Sequence, residues 1–361
     1  MKTKIPSHIL EEDAPPFSTL IARRKVLAGL SALSAAAILP DGFLRTQATS
    51  ATSVRPYRID THHHFSAPGF IAAIAARKTN QRPLEQWTPS KSIEDMDKSG
   101  VATAMISTSE PSVWFGDNEE ARKLARECND LGARLIADHP GRFGIFSTIP
   151  LPDVDGSLRE IEYSQDTLNA DGVCMMTSYQ GKYPGDPAFA PVMSELNRRK
   201  AVVFFHPVKA ECCKDLQPEL VPALIELGTD TTRAIASLIF DGTTSRYPDI
   251  RFIFSHGGGT MPYLMTRFEA LASRPDVAQR LPNGLLHEVR KLHFDTASLY
   301  GPYPWPTLLK LVPVSQILFG TDFPFSSAEA VAKGLSEVGL KASDLHAIER
   351  ENDLQLFPRL K

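Results

Sequence analysis

The chain has 361 residues, 42% hydrophobic and 22% charged, with a formal net charge of −3. That balance excludes wholesale disorder, and a slightly negative chain has no basic field with which to attract nucleic acid. Four cysteines in a chain of this length exclude a disulfide scaffold.

The amino end reads as an address. Arg23-Arg24-Lys25 precede an uncharged apolar run over 26–39, which Pro40 ends. The run is too short to span a bilayer, which takes about 20 residues, and it suits the apolar region of a signal peptide. The paired arginines resemble a twin-arginine export signal, with cleavage expected after Ala48 or Ala51. Residues 1–51 are therefore expected to be signal and linker, 52–361 one domain, and the mature protein periplasmic or secreted, with no integral membrane segment. Cys128, Cys174, Cys212 and Cys213 form no CxxC, so a cysteine zinc site or redox motif is not expected.

Past residue 55, short runs rich in Val, Ile, Phe and Met recur at 57–60, 101–108, 142–149, 172–177, 201–206, 251–256, 291–296 and 316–322. Each has the length of a buried parallel strand. Amphipathic stretches at 118–137, 190–199, 230–241, 327–339 and 344–351 lie between or after them. Parallel neighbours need long crossovers, so the alternation predicts βαβ units. Eight such units predict an α/β fold, a (β/α)8 TIM barrel. An open doubly wound sheet is the rival, but no GxGxxG follows the first run.

Polar residues gather at the carboxyl ends of these runs. The first ends in His62-His63-His64, the fifth in His206, the sixth in His256 and the eighth in Asp322. Alternate strand residues share a side, so His62 and His64 point together and His63 points away. The carboxyl end of a barrel is its catalytic face, where residues from different strands converge. Imidazole and carboxylate together suit zinc and neighbouring divalent ions. His63 and Asp60 read as supports or packing residues, and His8, His139, His287, His293 and His346 lie in contexts where solvated or satisfied roles are the default.

These residues carry a resemblance. Asp60, His62 and His64, then His206, His256 and Thr321-Asp322-Phe323-Pro324 look like the amidohydrolase superfamily. Ile93, Met96-Asp97, Gly100-Val101, Asn129-Asp130, His256-Gly-Gly-Gly, Pro262, Arg267 and Leu356-Phe-Pro-Arg359 extend the likeness over about 58–360. Within the superfamily the chain resembles the decarboxylase branch typified by aminocarboxymuconate-semialdehyde decarboxylase, with 6-methylsalicylate and γ-resorcylate decarboxylases as relatives. The resemblance implies one divalent metal, zinc by preference, on His62, His64, His206 and Asp322, with His256 as acid/base residue. Asp322 is left as ligand or proton donor. The strand-four run 172–177 holds no lysine to bridge a second ion. Ser92 stands where the aminocarboxymuconate enzyme has an arginine for its substrate's carboxylate, which counts against that substrate. Arg267 matches an arginine that reaches a neighbouring subunit's site, which implies a homodimer.

The implied reaction is non-oxidative decarboxylation of an aromatic, hydroxybenzoate-like, or enol-type carboxylic acid. A metal-dependent hydrolase of a lactone, ester or amide is the alternative, since it needs the same residues. A serine hydrolase is disfavoured because no Gly-x-Ser-x-Gly elbow is present. The substrate would meet loops 109–118, 177–186 and 297–305, with Trp114, Phe115, Tyr179, Tyr300 and Trp305 as candidate ring contacts and Arg267 as a candidate carboxylate contact.

Overall fold

The computed structural model describes residues 56–79, 81–213 and 219–361; the expected signal over 1–51 lies outside them. Eight parallel strands run in chain order around one sheet. They are β1 (Arg58–His64), β2 (Val101–Ser107), β3 (Phe143–Thr148), β4 (Gly172–Met176), β5 (Val202–His206), β6 (Arg251–Phe254), β7 (His293–Asp295) and β8 (Ile317–Leu318). One principal helix follows each strand: α1 (Pro89–Ser99), α2 (Asn118–Asp138), α3 (Val154–Glu162), α4 (Ala190–Arg198), α5 (Glu226–Phe240), α6 (Met265–Ala272), α7 (Trp305–Leu311) and α8 (Ala328–Glu337). The architecture is a (β/α)8 barrel, as the alternation predicts.

Local chemistry explains the elements. The strands are buried on both faces, so β5 reads Val-Val-Phe-Phe without polar alternation. Helix α2 starts where Asp117 accepts the backbone N–H of Glu120 at 2.7 Å, with Glu119 and Glu120 in its first turn. Its Leu124, Cys128 and Leu135 then face inward on helical spacing. Inside the barrel Phe146 stacks on Phe204 with ring centroids 5.2 Å apart. The alternate residue, Phe205, packs outward against Phe254 at 5.0 Å. The next inward position after Phe204 is His206, at the mouth.

Two ends differ from the periodicity. Strand β1 runs through His64 instead of stopping at residue 60, so all three histidines are in the strand. Its pairing with β2 shifts register between Asp60 and His63. Strand β8 is only Ile317–Leu318, and Asp322 lies beyond it. The reason is that side chains take the backbone donors there: Gly320 N–H donates to Thr296 Oγ1 at 3.0 Å and Thr321 N–H to Asp60 Oδ1 at 3.0 Å. The same segment closes the barrel onto β1. Thr61 N–H donates to Phe319 O (2.8 Å), Asp322 N–H to His62 O (2.8 Å), and His64 N–H to Phe323 O (2.7 Å). Helix α5 begins earlier than its apolar pattern suggests, at Glu226, and the 344–351 stretch divides into a short helix, Ala342–His346, and a π turn, Ala347–Glu351.

Below the mouth, Asp353 is fully buried and accepts from Thr61. Burial drives its carboxyl well above the usual range; the Thr61 hydroxyl opposes this and nearby Asp60 adds to it. A raised folded pKa means the folded state binds more protons than the unfolded one above pH ~4, so this group costs stability as pH rises from there to its folded pKa. Asp353→Asn is therefore expected to raise the thermal midpoint relative to wild type by more at pH 8 than at pH 5. Melting curves at the two values check it, and an equal effect at both would contradict it.

Candidate metal centre

Three elements carry four donors to one place. His62 and His64 come from β1, His206 from the end of β5, and Asp322 from the turn after β8; their ligand atoms all lie within 4.8 Å of one another. His62 Nε2 is 3.0 Å from His64 Nε2 and 3.2 Å from Asp322 Oδ1, and His64 Nε2 is 3.1 Å from the same oxygen. Four donors each about 2.0–2.1 Å from a common ion would stand roughly 3.3 Å apart, so the spacings among His62, His64 and Asp322 fit one tetrahedral cation, and His206 stands within 4.8 Å of them as the fourth donor. Three imidazoles and one carboxylate are a donor set for a divalent metal. Strand β4 contributes no lysine.

The rings are fixed from behind. His62 Nδ1 is 2.8 Å from Asp295 Oδ2, and His64 Nδ1 lies 3.3 Å from Ser107 O. Protons on those Nδ1 atoms leave both Nε2 lone pairs for a metal. His206 is held by packing: its ring meets His64 edge-on at 4.6 Å, and its buried Nδ1 has no hydrogen-bond partner among the described residues. His62 rests edge-on against Phe204, 5.0 Å below.

Electrostatics agree with a cation. Burial pushes His64 and His206 below 6.5, and for His206 the neighbouring His64 and His62 add to it. Neutral imidazole is the form that ligates. Burial works against a proton on His62 too, but Asp295 and Asp322 outweigh it and raise that group to about 10. Burial would also raise Asp322, yet His62, His256 and His64 hold it well below the carboxylate range. Two carboxylates thus converge on one buried imidazole and call for positive charge.

His256 completes the cluster. Its Nε2 is 3.3 Å from Asp322 Oδ2, and its side chain is 13% exposed, whereas His62 and His64 are sealed. Asp322 therefore turns one oxygen to the ligand pair and the other to His256. Both residues sit in the left-handed backbone region, Asp322 at φ 65° and His256 at φ 55°. Such conformations cost about 1–3 kcal/mol each and persist where surroundings impose them. Asp322 is imposed by its N–H bond to His62 O and by Phe325 N–H donating to Asp322 O at 2.8 Å. After His256, Gly257, Gly258 and Gly259 continue with positive φ; the glycine run serves this turn.

Other expected residues fall in several places. A cavity of about 220 Å³ includes Trp114, Met176, Tyr179, Val208 and Lys209 in its wall. It adjoins the metal centre, since Met176 pairs with His206 across β4 and β5 and Ser109 Oγ is 3.5 Å from His206 Nε2. Tyr300, 47% exposed, and Arg267, exposed on α6, are not among its walls. Trp305 is buried and donates from Nε1 to Leu299 O at 2.7 Å. His63 faces away, with Nδ1 3.0 Å from Asp60 and Nε2 2.9 Å from Ser92 Oγ. Ser92, His63 and Asp60 have the spacing of a nucleophilic triad, but Ser92 is fully buried and its oxygen already accepts Trp87 Nε1–H at 2.9 Å. The relay anchors α1 to β1. Asp295 was not anticipated, although it closes β7 as His206 closes β5.

Comparison with known proteins places this site in a family. An amidohydrolase family model matches residues 59–359. Decarboxylase macB of Penicillium terrestre is 34% identical over 324 residues, covering 84% of this chain and 96% of that protein. The 6-methylsalicylic acid decarboxylase acuB of Aspergillus aculeatus is 34% identical over 319 residues, covering 84% and 97%. Among solved structures, a dihydroxybenzoic acid decarboxylase from Polaromonas sp. JS666, with bound manganese and the inhibitor 2-nitroresorcinol, superposes with a TM-score of 0.74 at 20% identity, covering 84% and 98%; it shares the fold. The chain belongs to the amidohydrolase family.

Removing a first-sphere donor should cost more metal affinity than the 10–100-fold that loss of an outer-sphere partner costs. His206→Ala is expected to exceed that range in equilibrium dialysis against zinc while keeping the wild-type circular dichroism spectrum. Unchanged affinity would remove His206 from the site.

Proposed function

We propose that the chain is a metal-dependent decarboxylase that releases CO2, without oxidation, from a hydroxybenzoate-like aromatic acid. The observation that carries this reading is the four-donor cluster, next to a cavity with Trp114 and Tyr179 in its wall, in a chain whose 34%-identical relatives are named decarboxylases. At about 220 Å³ the cavity is smaller than the ~300–1,000 Å³ of sites for drug-sized ligands, which favours a single ring.

An aromatic carboxylate does not lose CO2 directly, because the departing bond would leave its electron pair in the ring plane. Protonation of the carbon that bears the carboxylate solves this. One proton enters, the C–C bond breaks, its electrons restore the ring, and CO2 departs; no water is consumed. A divalent ion on His62, His64, His206 and Asp322, zinc in our reading, would supply Lewis-acid charge to fix the carboxylate and a neighbouring hydroxyl. His256, whose Nε2 lies 3.3 Å from Asp322 Oδ2, would deliver that proton. The imposed backbone at both residues fixes that pair, and Trp114 and Tyr179 in the neighbouring cavity wall would meet the ring.

Two companion proposals go with this one. Tyr263, 86% exposed in the 3-10 turn Met261–Leu264, and Arg267, exposed in the first turn of α6, lie four residues apart and offer a surface for a second copy of the chain. The arginine pair ahead of the apolar run over 26–39 supports export.

The test is product analysis with zinc-loaded protein. CO2 release from 2-hydroxybenzoates, with no hydrolysis of esters, lactones or amides, is the expected result; the reverse pattern overturns the reading in favour of a hydrolase. His256→Gln is expected to lower kcat about 10²–10⁴-fold, the usual yield of general acid–base catalysis, with zinc content unchanged.

A further inference from the structure

We infer that Asp295 is the positioning residue that fixes both the tautomer of His62 and the backbone of His256, so that one buried carboxylate sets the ligand side and the proton side of the site together. The role of His256 in this rests on the decarboxylase reading above; the role of His62 does not.

Asp295 is the last residue of β7 and is fully buried. It lies outside the four-donor cluster, so it acts through others. Its Oδ2 is 2.8 Å from His62 Nδ1, while its Oδ1 accepts His256 N–H at 2.8 Å and Ala297 N–H at 3.0 Å. Every donor it meets is matched, which is what a buried carboxylate requires. The position is locked sterically as well. A Cβ on Gly320 would come within 2.8 Å of Asp295 Cβ and 2.9 Å of His62 Cβ, so only glycine lets the segment after β8 pass this close to these two side chains.

The hydrogen-bond logic makes the inference specific. A carboxylate at 295 can only accept, so the proton of neutral His62 sits on Nδ1 and its Nε2 keeps a lone pair facing His64 and Asp322. An amide at 295 has one acceptor and two donors. The backbone N–H groups of His256 and Ala297 claim the acceptor, which turns the amide NH2 towards His62 Nδ1. That arrangement favours the other tautomer, with the proton on Nε2, the atom needed for the metal. The substitution keeps shape and the His256 contact while spoiling the ligand. Asp295→Ala goes further, because it also frees the His256 N–H that holds φ 55°.

Three measurements decide it. Chelator competition is expected to give a zinc dissociation constant raised about 10–100-fold in Asp295→Asn, the usual cost of losing an outer-sphere carboxylate. At saturating zinc, Asp295→Ala is expected to lose kcat well beyond Asp295→Asn with little change in KM, since it alone frees His256. In wild-type zinc-loaded protein labelled at histidine nitrogens, His62 is expected to show a solvent-protected Nδ1–H signal. That last readout needs no variant and stands even if neither variant folds. Wild-type zinc affinity in Asp295→Asn, equal kcat in the two variants, or a proton on Nε2 of His62 would overturn the inference. A wild type that binds zinc but releases no CO2 would overturn the decarboxylase reading and leave the tautomer assignment to stand or fall on the first and third measurements.

Discussion

The negative charge gathered around His62 is the constraint on which the rest of this structure depends. Asp295 and Asp322 both lie within 3.2 Å of one sealed imidazole. A fully buried carboxylate, Asp295, and a largely enclosed one, Asp322, do not converge on one imidazole without positive charge to balance them. Without an ion, a proton on His62 answers that charge; a divalent ion shared with His64 and His206 would replace it, on a neutral His62. The surrounding fold serves this requirement. Strand β8 stops after two residues so that the turn carrying Asp322 can bond to β1, and Gly320 removes the one side chain that would wedge β7 away from β1.

The division of labour within Asp322 follows from the same geometry. One oxygen faces the ligand pair and the other faces His256. The two ligand histidines and His256 are thereby joined through one carboxylate. Phe204 supports His62 from inside the barrel, so core packing sets the height of the site. The link from hydrophobic periodicity to chemistry is direct: the pleat that sends Phe204 inward sends His206 inward two residues later.

Much of this was legible in the sequence because strand ends are legible. A buried strand reads as an apolar run, and the first polar residue after it stands at the mouth; His206 and Asp295 both obey that rule. His62 and His64 were readable from the period of two, even though β1 extends further than its apolar residues suggest. Asp322 was readable only by its place after an apolar run, since its backbone leaves the sheet four residues earlier and reaches the site by a left-handed turn. What the sequence hides is partnership across distance. Nothing local tells that Ser92 turns to His63, that Asp295 grips both His62 and His256, or that Arg267 faces outward on α6. Those facts are products of closure, which brings residue 60 beside residue 321 and residue 62 beside residue 295.

The account is tested most directly by the coordination sphere of the bound metal. X-ray absorption on zinc-loaded protein at one equivalent should show a first shell of imidazole nitrogens with one carboxylate oxygen from the chain, no sulfur, and no second metal within 4 Å. The multiple-scattering pattern of three histidines, lost in part in His62→Ala, is the predicted result. A sulfur shell, a metal–metal vector, or a spectrum unchanged by His62→Ala would contradict it.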